Sequence, residues 1–358
     1  MITYEQALET ARAYDPSYDH VIDYEHAYEF CWEAPKREMG PHPVFVAKES
    51  GELLTMMDGI GGGFARGKRQ GEWTVSAGPQ PRVTPARGLR DVMYGAAVGD
   101  ALGVPYEFRG AGSFTCTGMA SGGAHNQPTG TFSDDTSMLL ATCDSIRETG
   151  RIDVDDMRKR FNDWVLHGEY AVNHVVFDVG GTVSAALTLG VGRDDVRSNG
   201  NGSLMRIAPL AFTDASDDDV RAVSAITHAH RISTESCVCF VGLLRGLLAG
   251  ESWKKALERN IPAGEEFAFL HDVASRPVSE VRGTGFVLDT LGAFVWCLAN
   301  TDSYAECVRA AVNLGDDTDT TACVAGALAG AVYGYDAIPA EWLAVLRGKD
   351  IIDACLFA

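Results

Sequence analysis

Small residues return at every fourth position in two stretches of this chain: Gly95, Gly99 and Gly103 in one, Ala322, Gly326, Gly330 and Gly334 in the other. Around the first stretch, Leu89, Val92, Met93, Ala96 and Ala97 repeat at helical spacing. Glycine inside a helix costs about 1 kcal/mol relative to alanine, so its repetition along one face needs a compensating gain. The close approach of another helix backbone supplies it. Strand patterns are scarce after the first stretch begins, and residues 88–358 therefore read as an all-α multi-helix domain.

The first sixty-five residues have a different character and read as a small α+β domain. Tyr4 to Tyr14 have a helical pattern. Tyr28, Phe30 and Trp32 alternate with Glu29, Cys31 and Glu33, the period of a half-buried strand. Val44-Phe45-Val46 and Leu53-Leu54 flank a polar turn near Gly51, which predicts a hairpin. The chain is then loaded with Gly, Pro and Arg between Gly59 and Gly88, without an apolar period, so residues 66–87 read as a linker. Gly61 to Gly63 fit neither glycine-rich phosphate-binding pattern.

Charge and cysteine content narrow the classes further. A net charge of -19 argues against nucleic acid as a partner, since phosphate-backbone binders carry a basic face. The longest apolar stretch, Ala322 to Tyr335, is too short and too rich in Gly and Ala to span a membrane. The N-terminus has neither the basic nor the apolar region of a signal peptide. Nine cysteines without a framework spacing read as reduced, buried thiols, and a cytoplasmic location is expected.

Two acidic clusters carry the chemistry. Ser133-Asp134-Asp135-Thr136 precedes the apolar run Met138-Leu139-Leu140, and Asp316-Asp317-Thr318-Asp319-Thr320-Thr321 precedes Ala322-Cys323-Val324-Ala325. Taken singly, each fits a helix N-cap as well as a metal site, because Asp, Ser and Thr suit both. A cap needs one such residue, however. Adjacent carboxylates beside an apolar helix start repel one another unless a cation lies between them. If the two helix starts converge, Asp134, Asp135, Asp317 and Asp319 match the charge of two divalent cations, and Ser133 and Thr320 add neutral oxygens. Hard oxygen ligands suit magnesium or manganese, and a two-metal centre is the economical reading.

The ordered pair S-D-D-T and D-x-D-T-T resembles the ADP-ribosylglycohydrolase family. That family's first motif usually reads T-D-D-T, and Ser133 departs from it while keeping the hydroxyl. Gly99-Asp100-Ala101-Leu102-Gly103 with Glu107 resembles its opening motif, and the resemblance implies a catalytic role for Glu107 near the scissile bond. Phe177-Asp178-Val179-Gly180 with Thr182 resembles a middle segment. Asn199-Gly200-Asn201-Gly202-Ser203, followed by Leu204-Met205-Arg206, is similar to the loop that holds ADP-ribose, and Thr227-His228 to a later pocket motif. The glycines of that loop would permit positive φ and turn backbone N–H groups toward an anion. His228 and His230 form an H-x-H without a third zinc ligand at diagnostic spacing, so a pocket role is preferred for His228 and none is given to His230. Arg206 fits either a phosphate partner or a helix cap.

What the resemblance implies is metal-dependent hydrolysis at the anomeric carbon of the distal ribose, with ADP-ribosylated protein or an ADP-ribose-containing small molecule as substrate. The transition state would carry oxocarbenium character. The leaving group stays open among arginine, serine, other side chains, a base and a small ester. Residues 1–60 resemble the immunity protein 35 family, which implies the alternative: neutralisation of an ADP-ribosyltransferase toxin by direct binding. A metal-dependent nucleotide phosphohydrolase shares the metal logic but not the ordered motifs.

Overall fold

In the computed structural model the two small-residue stripes face each other. The structure describes residues 3–14, 18, 20–24, 27–31, 44–50, 53–55, 69–74 and 88–357. The chain separates into two units, Met1–Thr84 and Pro85–Ala358.

In the first unit, helix α1 (Tyr4–Tyr14) accompanies an antiparallel sheet of β1 (His20–Tyr24), β2 (Ala27–Cys31), β3 (Val44–Ala47), β4 (Leu53–Thr55) and β5 (Arg69–Thr74), in the order β4-β3-β2-β1-β5. Tyr4, Ala7 and Ala11 recur at helical spacing and pack with Val21, Phe30, Val44 and Val46. The expected hairpin is present as the β3–β4 pair, with Val46 opposite Leu53. Its turn at Gly51 lies outside the described residues, as do Trp32, Glu33, residues 56–68 and residues 75–87. Strand β5 lies within the stretch that composition assigned to a linker. It is recruited through its backbone, with Thr74 opposite His20 and Glu72 opposite Ile22, and backbone pairing leaves no apolar period to read.

The second unit is helical, and among its described residues only isolated bridges interrupt that character. Helix α2 (Leu89–Gly103) is followed by α3 (Asp134–Thr149), α4 (Val154–His167), α5 (Gly181–Leu189) and α6 (Asp217–Ser224). Then come α7 (Arg231–Leu248), α8 (Trp253–Asn260), α9 (Val287–Ala299), α10 (Tyr304–Asn313), α11 (Thr318–Tyr333), α12 (Ala340–Val345) and α13 (Lys349–Cys355). Helices α2 and α11 run antiparallel through the middle and are buried almost all round, the pattern of central helices. A Cβ on Gly95 would lie 2.3 Å from the Gly326 carbonyl oxygen, and one on Gly99 would lie 2.0 Å from that of Ala322. At the far end, a Cβ on Gly103 would lie 2.4 Å from the Cα of Asp319. Backbone-to-backbone packing thus brings the C-terminus of α2 against the acidic start of α11. No helix among the described residues is long and apolar enough to cross a membrane.

Candidate active site

Both acidic clusters sit where the sequence puts helix starts, and α2 joins them. Asp100, fully buried on α2, accepts from the Ser133 N–H (2.9 Å), the Thr136 N–H (3.0 Å) and the Thr136 hydroxyl (2.6 Å). It thereby ties off the free N–H groups at the start of α3. From the other side, the Thr318 hydroxyl donates to the Gly103 carbonyl at 2.8 Å. The convergence required for a shared metal centre is therefore met. Asp100, Asp135 and Asp319 each place a carboxylate oxygen within 4.8 Å of the other two.

The hydroxyls of Ser133 and Thr320 donate to Asp135 Oδ2, at 2.9 and 3.3 Å. Ser133 also caps α3, accepting from the Asp135 N–H at 3.3 Å. Asp135 Oδ1 and Asp319 Oδ2 are left buried without a hydrogen-bond partner. Burial raises the pKa values of Asp134, Asp135, Asp317 and Asp319, and neighbouring carboxylates push in the same direction. Asp100 is raised to about 6 by burial, against the pull of its hydrogen bonds. A buried orphan oxygen costs the desolvation of that group, and several together need a counter-cation. These donors fit a hard divalent ion: all are oxygens, and the atoms without partners belong to the acids that converge. The buried acids can hold metal ions.

Above this floor lies a cleft of about 400 Å³, lined among others by Glu107, Asp134, Asp178, Asn201, His228, Asp317 and Thr320. Glu107 follows the short 3-10 turn at the end of α2. Its neighbour Phe108 (φ +63°) donates its N–H to the Asp316 carbonyl at 2.7 Å, and the Asp316 N–H (φ +60°) donates to the Arg109 carbonyl at 2.8 Å. This two-bond clamp fixes Glu107 beside Asp317. Such backbone conformations are uncommon for residues with a Cβ and concentrate at functional sites. Burial pushes the Glu107 carboxyl up to about 9, helped by Asp178 and Asp317.

The glycine-rich loop forms another wall. The Asn201 amide N–H₂ donates to Asp317 Oδ2 (2.9 Å) and to the Thr290 hydroxyl (3.0 Å), linking the loop to the acidic floor. Gly200 and Gly202 are glycines for a reason other than the expected positive φ, which neither adopts. A Cβ on Gly202 would lie 2.9 Å from the Cε1 of His228, and one on Gly200 would lie 3.3 Å from its Nε2. The loop needs glycine because the imidazole occupies the space of a side chain. His228 pairs through Nδ1 with the Thr227 hydroxyl (2.9 Å), and burial lowers its pKa to about 3, so the ring is neutral.

Two loop residues point elsewhere. The Asn199 side chain donates to the Val196 carbonyl and accepts from the Ser233 hydroxyl. Ser203 is fully buried and accepts from the Ser224 hydroxyl at 2.9 Å. Both brace the loop from behind. Arg206 is also fully buried: it donates to the Val223 carbonyl at the end of α6 and to the Thr227 hydroxyl. It caps a helix and supports the hydroxyl that orients His228. His230 caps α7, accepting from the Ile232 N–H. Three residues given no role from sequence enter the site: Asp100, Asp178 and His125. Asp178 (φ +57°) lines the cleft, and the His125 Nε2 lies 2.5 Å from Glu107 Oε2.

The sequence model of the ADP-ribosylglycohydrolase family matches residues 82–357. ADP-ribosylarginine hydrolase Tri1 of Serratia proteamaculans is 32% identical over 269 residues, 71% of this chain and 74% of its own. The ADP-ribosyl-[dinitrogen reductase] glycohydrolase of Rhodospirillum rubrum is 30% identical over 273 residues, 71% of this chain and 88% of its own. A solved structure described as an ADP-ribosylglycohydrolase-related protein complex superposes with a TM-score of 0.63 at 32% identity, covering 74% of this chain and 94% of that one.

Proposed function

The chain belongs to the ADP-ribosylglycohydrolase family, and from that premise we propose that it hydrolyses the bond between ADP-ribose and an arginine side chain of a modified protein. The observation that carries the reading is the pair of unpartnered buried oxygens, Asp135 Oδ1 and Asp319 Oδ2, where two helix starts meet under the cleft. Arginine is favoured as the leaving group because two similar relatives are named for ADP-ribosylarginine hydrolysis.

Ser133, Asp134, Asp135, Asp317, Asp319 and Thr320 would hold two divalent cations, magnesium or manganese. Bound there, the cations supply Lewis acidity for the ribose hydroxyls and for a water. The remaining work falls to the protein's own groups. Gly200 and Gly202 flank the ADP-ribose with backbone N–H groups, while the Asn201 N–H is held by the Gly285 carbonyl at 3.0 Å, and neutral His228 offers Nε2 to the ligand. Asn201 also holds Asp317 in place. Asn199 and Ser203 serve the loop's shape rather than the ligand. Glu107, clamped beside Asp317, exchanges a proton with the leaving guanidine or aligns the attacking water. As the C–N bond breaks, positive charge grows on the ribose, and the surrounding carboxylates stabilise it. Eight buried, unbridged thiols suit a reducing compartment such as the cytoplasm. Neutralisation of a toxin by binding rests on the resemblance of residues 1–60 alone.

The test is release of free ADP-ribose from an arginine-ADP-ribosylated protein, with magnesium, manganese or chelator, and with Asp317→Ala and Asp319→Ala. Release should require a divalent cation and fall on the order of 100-fold or more in each variant. Release that survives chelation would remove the metal centre. Release only from a serine-linked substrate would move the linkage.

A further inference from the structure

His125 belongs to no helix or strand, yet its side chain is held on several sides beside Glu107, which lines the cleft. It sits at the tip of a tight turn closed by paired backbone bonds between Gly122 and Gln127, at 2.8 and 3.2 Å. The turn is pressed onto the segment that carries Glu107: a Cβ on Gly123 (φ +72°) would lie 2.6 Å from the Pro105 carbonyl oxygen. The Gln127 side-chain amide donates to the His125 carbonyl at 3.2 Å. The imidazole rests between the rings of Phe108 and Phe177, at 5.8 and 5.1 Å. Its Nε2 lies 2.5 Å from Glu107 Oε2 and 3.8 Å from Asp178 Oδ1.

We propose that His125 is a positioning residue for Glu107, holding the carboxyl at the reacting centre. The inference rests on the hydrolase reading above. Glu107 and Asp178 approach one another from different parts of the chain, and two carboxylates at such range repel. A nitrogen placed between them offers Glu107 a directional bond. Nε2–H donates when Glu107 is ionised, and the carboxyl donates when it carries the proton. The flanking aromatic rings fix the plane of the imidazole, and therefore the direction of that bond. His125 itself acts only through Glu107.

Three variants of the full chain separate bond from packing. His125→Phe keeps a ring between Phe108 and Phe177 but removes the nitrogen. His125→Gln keeps an N–H near the Nε2 position. His125→Phe should lower kcat on arginine-ADP-ribosylated protein by roughly 10- to 100-fold, the range for losing the partner that orients a functional group, with KM and free ADP-ribose affinity within about threefold. His125→Gln should recover most of that loss. In a Glu107→Gln background, His125→Phe should cost nothing further, because the two residues form one unit. A kcat for His125→Phe within twofold of wild type, or an equal loss in both backgrounds, overturns the proposal.

The pair is also readable without turnover. The His125 ring ¹⁵N resonances, assigned in wild type, should move when Glu107 becomes Gln and stay fixed when Glu258, on α8 and outside the cleft lining, becomes Gln. Unmoved ring resonances in Glu107→Gln overturn the proposal even if the substrate assignment fails, and moved resonances in an enzyme inactive on ADP-ribosylarginine place the failure in the substrate assignment alone.

Discussion

A neutral imidazole buried against two glycines makes His228 a liability in acid. Its pKa in the fold is about 3, lowered by burial first and by the Arg206 charge second, against about 6.5 when unfolded. The unfolded chain therefore takes up a proton below about pH 6.5 that the folded chain refuses, so stability falls as pH falls through that window and the loss ends near pH 3. The slope from this one group approaches about 1.4 kcal/mol per pH unit. His228→Gln should have a shallower dependence between pH 6.5 and 4 than wild type when unfolding free energies are measured in urea. Parallel curves would mean that the ring ionises in place. The same residue illustrates what sequence can tell. Asp134, Asp135, Asp317 and Asp319 stood out because paired carboxylates beside an apolar helix start repel one another unless a cation lies between them. The purpose of Gly200 and Gly202 did not, since it depends on an imidazole brought in from another segment. Asp100 stood in the sequence only as part of the opening motif, without a role, and His125 carried no local signal; the meaning of both lies in what the fold sets beside them.

Among the elements, the α2–α11 pair does two jobs with one set of glycines. It packs two backbones together, and its far end delivers Asp319 to Asp100 and Asp135. Replacing Gly99 by Ala tests the arrangement, because propensity and packing predict opposite signs. Propensity alone gives a gain of about 1 kcal/mol. A Cβ 2.0 Å from the Ala322 carbonyl oxygen forces the helices apart, and overpacking of this kind costs about 1–3 kcal/mol or more. Gly99→Ala should lower Tm by roughly 4–10 °C in a thermal melt. A higher Tm would show that the helices have room between them. This pair was foreseeable in outline, because each stripe announces a close neighbour; that each is the other's neighbour was not. Strand β5 stayed hidden for the opposite reason. Arg69–Thr74 joins the sheet by backbone bonds to β1, and nothing in its composition records that.

At the scale of the molecule, a chain of net charge -19 has buried several carboxylates in one place. Repulsion among Asp100, Asp134, Asp135, Asp317 and Asp319 opposes folding of the second unit unless cations offset it; burial is the first cause of every upward pKa shift there, and neighbouring carboxylates add to it at Asp134, Asp135 and Asp319. Metal affinity and fold stability are therefore linked. A cation that binds only the folded form adds about 2.7 kcal/mol per site at a hundred times its Kd. Magnesium or manganese should then raise Tm by roughly 5–10 °C for each site filled, while potassium at matched ionic strength should not, because screening does not reach a buried cluster. Asp319→Asn should abolish the rise. It should also melt no lower than wild type in chelator, since the amide removes one buried negative charge while keeping the side chain's shape. A rise that persists in Asp319→Asn would move the cations elsewhere on the acidic surface. No rise with any divalent ion would reduce both clusters to helix caps, leaving Asp135 Oδ1 and Asp319 Oδ2 as two costs that the fold carries for no return.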